Sequence, residues 1–211
     1  MKIMNRKNVG AIGIGAMIVF IAMVLVAGIA ASVLIQTSSR LESQAMATGE
    51  QTTAEVATGI AVANVEGHVS SGSIDKLAIS VRPRAGSKDI DLSTVVLELS
   101  NSTTKCVLTY DSTQFASTPA AAGLFSTSAF GLTAGEFGII VLEDADSSCQ
   151  PSTPVINRGD KVVLTVNATA TFSGLGVRTD IWGRVVPEEG APGIIAFRTP
   201  ASLTDTVYML Q

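Results

Sequence analysis

Few side chains in this 211-residue chain are of a type that does chemistry, and their spacing limits what that chemistry would be. The one histidine, His68, lies in residues 67–72 (GHVSSG), a Gly- and Ser-rich segment where it reads as an exposed polar residue. No Ser/His/Asp constellation can be built around it, and no Gly-rich loop of useful specificity is present to cradle a phosphate. The two cysteines, Cys106 and Cys149, enclose about 44 residues; outside the cytoplasm a bridge between them is allowed, and paired structural cysteines are expected. Asn101-Ser102-Thr103 and Asn167-Ala168-Thr169 match the acceptor pattern for N-linked glycan. Glu143, Asp144 and Asp146 form an acidic turn of the oxygen chemistry that hard cations favour, but EF-hand spacing and its turn Gly are missing. A solvated turn is the better reading, and no metal is expected. Arg158-Gly159-Asp160 spells an adhesion tripeptide, yet Gly and Asp are ordinary turn residues between two strands, so chance explains it.

Composition points the same way. The net charge is −4, apolar residues make up 46% and charged residues 15%, with the basic residues scattered. That balance argues against a nucleic-acid surface. With so little His and Cys the chain is not an obvious enzyme, and no cofactor is implied.

The segment that organises everything else is residues 11–35, AIGIGAMIVFIAMVLVAGIAASVLI, which contains no charged side chain. As a helix it would measure about 37 Å, enough to cross a bilayer core of about 30 Å. Lys2, Arg6 and Lys7 precede it, and Gly10 ends that basic stretch. Three readings compete. A secretory signal cut near Gly28-Ile29-Ala30 has too long an apolar run. A plain anchor would place residues 1–10 in the cytoplasm and the rest outside. A prepilin-type signal would be cut between Gly10 and Ala11 and keep the apolar helix.

The polar continuation favours the third. From Gln36 to Val65 there is no Pro, and Leu34, Leu41, Ala45, Thr52, Val56 and Ala63 recur at helical spacings. A single helix from Ala11 to about Asn64 is expected, about 80 Å long, with bends possible at Gly49 and Gly59. A membrane anchor has no use for that length, whereas a subunit packing its helix against many copies does. A flexible Ser/Thr/Ala-rich stalk is the competing reading. The organisation expected is a leader at 1–10, a helix at 11–65 with a transient membrane span at 11–35, a linker at 66–73 and a β domain at 74–211.

Beyond the linker the period changes to two. Strands are expected at 77–81, 92–99, 106–110, 136–142, 161–171, 178–186 and 194–197, separated by Gly, Pro, Asn and Asp clusters. Seven short strands without interleaved helices indicate an antiparallel β-sandwich, immunoglobulin-like in layout, giving an α+β chain overall. Trp182, the one tryptophan, reads as a core anchor. The uncharged stretch 113–135 reads as a long surface loop.

These residues carry a resemblance. The basic leader ending in Gly10, Gly13 and Gly15, and the run that follows resemble the start of archaeal flagellins (archaellins). The segments INRGDKVVLTV (156–166) and VVPEEGAPGIIAFRTPASLTDTVYMLQ (185–211) resemble that family's C-terminal part. Bacterial type IV pilins usually place Glu at the fifth mature position, where this chain has Gly15, and fit less well. The resemblance implies a membrane peptidase that cuts between Gly10 and Ala11, and an apolar helix that packs in a filament core through residues such as Gly13, Gly15, Phe20, Leu25, Leu34 and Leu41. It implies β domains outside that core, and as partners further copies, paralogous subunits, the prepilin-type peptidase and an assembly machinery at the membrane, with no nucleic acid. The expected function is an extracellular filament subunit for swimming. An adhesive pilin, or a membrane-anchored surface protein that binds a ligand, is the alternative.

Overall fold

The computed structural model describes residues 6–211, with side chains from Gly10 onward, so residues 1–5 of the expected leader lie outside the described residues. The chain divides after Gln51 into two compact units.

Helix α1 spans Arg6–Ala57. It contains no Pro and is dominated by Ala, Ile, Val, Met, Leu, Glu and Gln, so at 1.5 Å per residue it extends about 78 Å. Thr37 and Thr48, poor helix formers, turn their hydroxyls back to donate to Leu34 O (3.0 Å) and Gln44 O (2.8 Å).

The helix ends at Ala57, short of the Asn64 that the small-residue stripe suggests. Thr58 N still closes on Ala54 O (2.8 Å), but Gly59 then runs beside Ala191, where a Cβ would stand 2.8 Å from the Ala191 carbonyl oxygen. Ile60 and Val65, both fully buried, are claimed by a sheet instead. Strand β1 (Ile60–Ser70) therefore occupies the segment expected to finish the helix. A register shift between Val62 and Asn64 breaks its alternation, and its Ala content made it look helical.

The expected linker at 66–73 is likewise corrected. Strand β2 (Ser73–Pro83) pairs antiparallel with β1, and Ser70 faces Ser73 across a two-residue turn. Ser71 (φ 53°) and Gly72 (φ 79°) both take positive φ, as the tightest hairpins require. His68 lies on β1, where Nδ1 meets Asp75 Oδ1 at 2.6 Å and the ring packs 5.4 Å from that of Phe125. It is a half-buried cross-strand residue rather than a linker residue.

The chain continues through β3 (Ile90–Asp91), β4 (Val96–Asn101), β5 (Lys105–Ala116) and β6 (Glu136–Glu143). Then come β7 (Cys149–Gln150), β8 (Thr153–Ile156), β9 (Lys161–Asn167) and the short helix α2 (Ala168–Phe172). Strands β10 (Asp180–Val186), β11 (Gly193–Arg198) and β12 (Val207–Met209) finish the domain. Nine strands join in the order β11-β10-β4-β5-β6-β9-β2-β1-β12, and β3-β8-β7 form a small second sheet. Pairing is antiparallel except between β5 and β6. The α+β reading, with a long apolar helix followed by a largely antiparallel β domain, describes the molecule.

One core of buried aliphatic residues, among them Leu77, Ile79, Leu97, Leu108, Phe137 and Leu164, fills the domain. A second, smaller cluster joins Phe125, Ala129 and Phe130 to Ala78, Ile140 and Val163. Those aromatics belong to the stretch expected to be a surface loop. It is instead held in two 3-10 turns, Leu124–Ser126 and Ser128–Phe130, because its apolar residues cover the open face of β2, β6 and β9. Trp182 also departs from expectation. Alternation along β10 sends Ile181 and Val185 inward, leaving Trp182 49% exposed.

Candidate assembly surface

On α1 the large apolar residues from Ile12 to Ile35 stand 52–69% exposed, Phe20 (69%), Leu25 (61%) and Leu34 (68%) among them, and Leu41 follows at 67%. Surface helices of globular proteins bury one stripe, but this one is apolar all round. A Cβ added at Gly10, Gly13, Gly15, Gly28 or Gly49 would meet nothing within 4 Å. Gly costs about 1 kcal/mol relative to Ala within a helix, so the subunit alone gives these glycines no purpose. Gly10 and Ala11 both lie within α1, with exposed surface.

The remaining candidates sit in the β domain. Cys106 and Cys149 are both free thiols, which corrects the expected bridge. Cys106 donates to Thr171 O at 3.6 Å. Cys106 belongs to β5 of the nine-stranded sheet, whereas Cys149 belongs to β7 of the three-stranded one. Burial, then the carboxylates of Asp144 and Asp160, push the Cys149 thiol up to about 12. Burial, then Cys149 and Asp111, push the Tyr110 phenol up to about 12, and its hydroxyl donates to Pro151 O (2.9 Å).

Among the acids, Glu143 is drawn away by Lys161 at 2.7 Å. The carboxylates that come together are those of Asp144, Asp146 and Asp160, each with an oxygen within 4.8 Å of the others. Asp160, only 1% exposed, was legible in the sequence solely as the end of Arg158-Gly159-Asp160. Its oxygens accept from Ala145 N (3.1 Å) and Asn157 N (2.8 Å), so that tripeptide is not presented as a unit. Asp144 accepts from Ser148 N and Cys149 N, both at 3.2 Å. Hydrogen bonds from Asn157 and Ser148 hold the Asp146 carboxyl below its ordinary range. N–H groups of the turns thus account for the convergence of three carboxylates.

The two acceptor asparagines differ. Asn167 uses both ends of its amide: Oδ1 caps α2 by accepting from Ala170 N (3.1 Å), and Nδ2 donates to Leu132 O (3.0 Å). Asn101 engages only Oδ1, which accepts from Thr103 N (2.9 Å) and Thr104 N (2.6 Å), beside exposed Ser102 and Thr103.

Comparison with known proteins accounts for this arrangement. The family profile of archaeal-type flagellin matches residues 10–197. Flagellin B2 of Methanocaldococcus jannaschii is 48% identical over 204 residues, which cover 96% of this chain and 94% of that protein. Flagellin B3 of Methanococcus voltae is 38% identical over 235 residues, covering 98% and 97%. The crystal structure of archaeal flagellin FlaB1 from Methanocaldococcus jannaschii, 39% identical, superposes with a TM-score of 0.67 over 74% of this chain and 98% of that one. The archaeal flagellum of Methanospirillum hungatei, at 16% identity, shares the fold, with a TM-score of 0.65 over 92% of this chain and 98% of that one. The chain belongs to the archaeal-type flagellins, the structural subunits of the extracellular archaellum filament.

Proposed function

We propose that the chain enters the filament as a processed subunit, cut between Gly10 and Ala11, whose α1 leaves the bilayer to pack against α1 of neighbouring copies. The observation that supports this is a helix apolar on every side, with exposed glycines that nothing in the subunit requires. Gly13 and Gly15 let neighbouring backbones approach closely, and Phe20, Leu25, Leu34 and Leu41 fill the spaces between helices. Cleavage removes Lys2, Arg6 and Lys7, so the charge that holds the N-terminus at the cytoplasmic face is lost with the leader. Gly10, the poorest helix former short of Pro, favours local opening of the bond to be cut. A membrane peptidase performs the only catalysis in this scheme, and assembly machinery at the membrane receives the product; the chain itself acts as a building block. The outer β domain carries its glycan at Asn101 rather than Asn167, whose Nδ2 is already committed to Leu132 O.

Mass spectrometry of sheared filaments tests the whole scheme. The first peptide should begin at Ala11, and glycan mass should sit on the peptide containing Asn101. A filament subunit beginning at Met1 would sink the processing step. Gly10→Val should leave the unprocessed chain in the membrane fraction.

A further inference from the structure

At the end of the β domain where the chain emerges from α1, the β2–β3 connection and the β8–β9 turn enclose a groove of about 440 Å³. Arg82, Arg84 and Arg158 stand exposed around it. No carboxylate lies within ion-pair distance of any of the three among the described residues. Lys161 on the groove wall is committed to Glu143, and Asp160 is buried with both oxygens turned to backbone N–H groups. The groove is firmly held: Arg84 N donates to Gly59 O (2.8 Å), and Ser87 Oγ bridges Gly59 N and Gly59 O, each at 3.1 Å. Three guanidiniums around one concavity repel one another, and in a chain of net charge −4 such clustering suits an anionic partner. Guanidinium forks match carboxylates in two-point geometry.

The complementary surface is on the same molecule. The polar half of α1 carries Glu42, Glu50 and Glu55 against Arg40 alone, all exposed and without an ion pair among the described residues. At 100° per residue, Glu50 lies about 150° round the helix from the Leu41, Ala45, Thr52 and Val56 stripe, so packing along that stripe leaves it free. Copies in a helical polymer are displaced along its axis, so each surface meets a different surface of the neighbour. We propose that the Arg82, Arg84 and Arg158 groove receives the Glu42–Glu55 segment of α1 from an adjacent subunit, with Glu50 as its principal carboxylate. This rests on the filament reading and adds to it a charged contact that sets the register between neighbours.

Charge reversal in the full chain tests it. R84E/R158E should keep the circular dichroism spectrum and melting temperature of the unaltered chain while lowering the yield of filaments at least tenfold. Adding E42K/E50K/E55K to the same chain should restore most of that yield. In filaments of the R84K variant, carbodiimide coupling should give a peptide linking position 84 to Glu50, Glu42 or Glu55. Filaments of undiminished number from R84E/R158E, no recovery on reversing the acids, or coupling of position 84 to a different protein would each overturn the proposal. Failure of the unaltered chain to form filaments would count against the polymer reading instead.

Discussion

Burial, more than any charged partner, keeps Cys149 and Tyr110 protonated, and that has a consequence for stability. Both groups are pushed up to about 12 in the folded domain, from ordinary values of 9.0 and 10.0. A folded state that holds its protons more tightly than the unfolded chain gains stability at low pH and loses it as pH climbs between the two values. The unfolding free energy of the β domain should therefore be insensitive to these groups below pH 9. It should fall steadily from there toward pH 12, as read by urea midpoints at each pH. A flat profile over that range would show that neither group is desolvated. The same region shows where residue-level reading stops. Two cysteines in an extracellular chain invite pairing, but the sequence carries no sign that they fall in different sheets, Cys106 on β5 and Cys149 on β7. The acidic turn was legible as a cluster, whereas its membership was not: Lys161 takes Glu143 out, and Asp160 enters from 14 residues beyond Asp146 only once β6 and β9 pair.

At the scale of elements, residues 11–35 were legible because unbroken apolarity leaves few alternatives. Strands β4, β10 and β11 were legible because their alternation matches burial, and β6 and β9 as short apolar runs rich in Ile and Val, buried on both faces. The junction between helix and domain was not. Ala, Val and Asn between Ile60 and Val65 suit either structure, and pairing with β2, from Ile60 against Pro83 to Val65 against Ile79, decides for strand. Glycines on the two sides of that junction should respond oppositely to the same change. Gly190 has φ 95°, and a Cβ there would run into the Thr58 carbonyl oxygen. The left-handed conformation costs an L residue about 1–2 kcal/mol and overpacking about 1–3 more, so Gly190→Ala should lower the unfolding free energy by about 2–5 kcal/mol. Gly13→Ala and Gly15→Ala meet open space and gain helix propensity, about 1 kcal/mol each. Circular dichroism in detergent should therefore show undiminished helicity for the Gly13/Gly15 double variant, while its filaments form poorly. Full filament yield would mean that helices do not approach one another at these positions.

For the molecule as a whole, the decisive comparison is among three surroundings for α1: water, lipid and other copies of itself. About fifteen large apolar side chains between Ile12 and Ile35 are more than half exposed. Burying what remains of each contributes roughly 1–2 kcal/mol, so leaving a bundle for water costs about 15–30 kcal/mol per subunit. Leaving a bundle for lipid is different, because acyl chains are as apolar as Leu and the transfer is nearly balanced, with small-residue packing as the main difference. The same helix can thus rest in a membrane before assembly and become effectively irreversible in a filament once only water surrounds it. Dilution of purified filaments into buffer should release no measurable subunit over days. Detergent above its critical micelle concentration offers α1 an apolar alternative and should release folded subunits, followed by light scattering and by circular dichroism of the β domain. The chain from Thr58 onward keeps the principal core but lacks α1, so it should remain monomeric at concentrations where the processed full chain polymerises. Filaments that dissolved as readily in buffer as in detergent, or polymers formed by the truncated chain, would place the main cohesion in the β domains rather than in the helix.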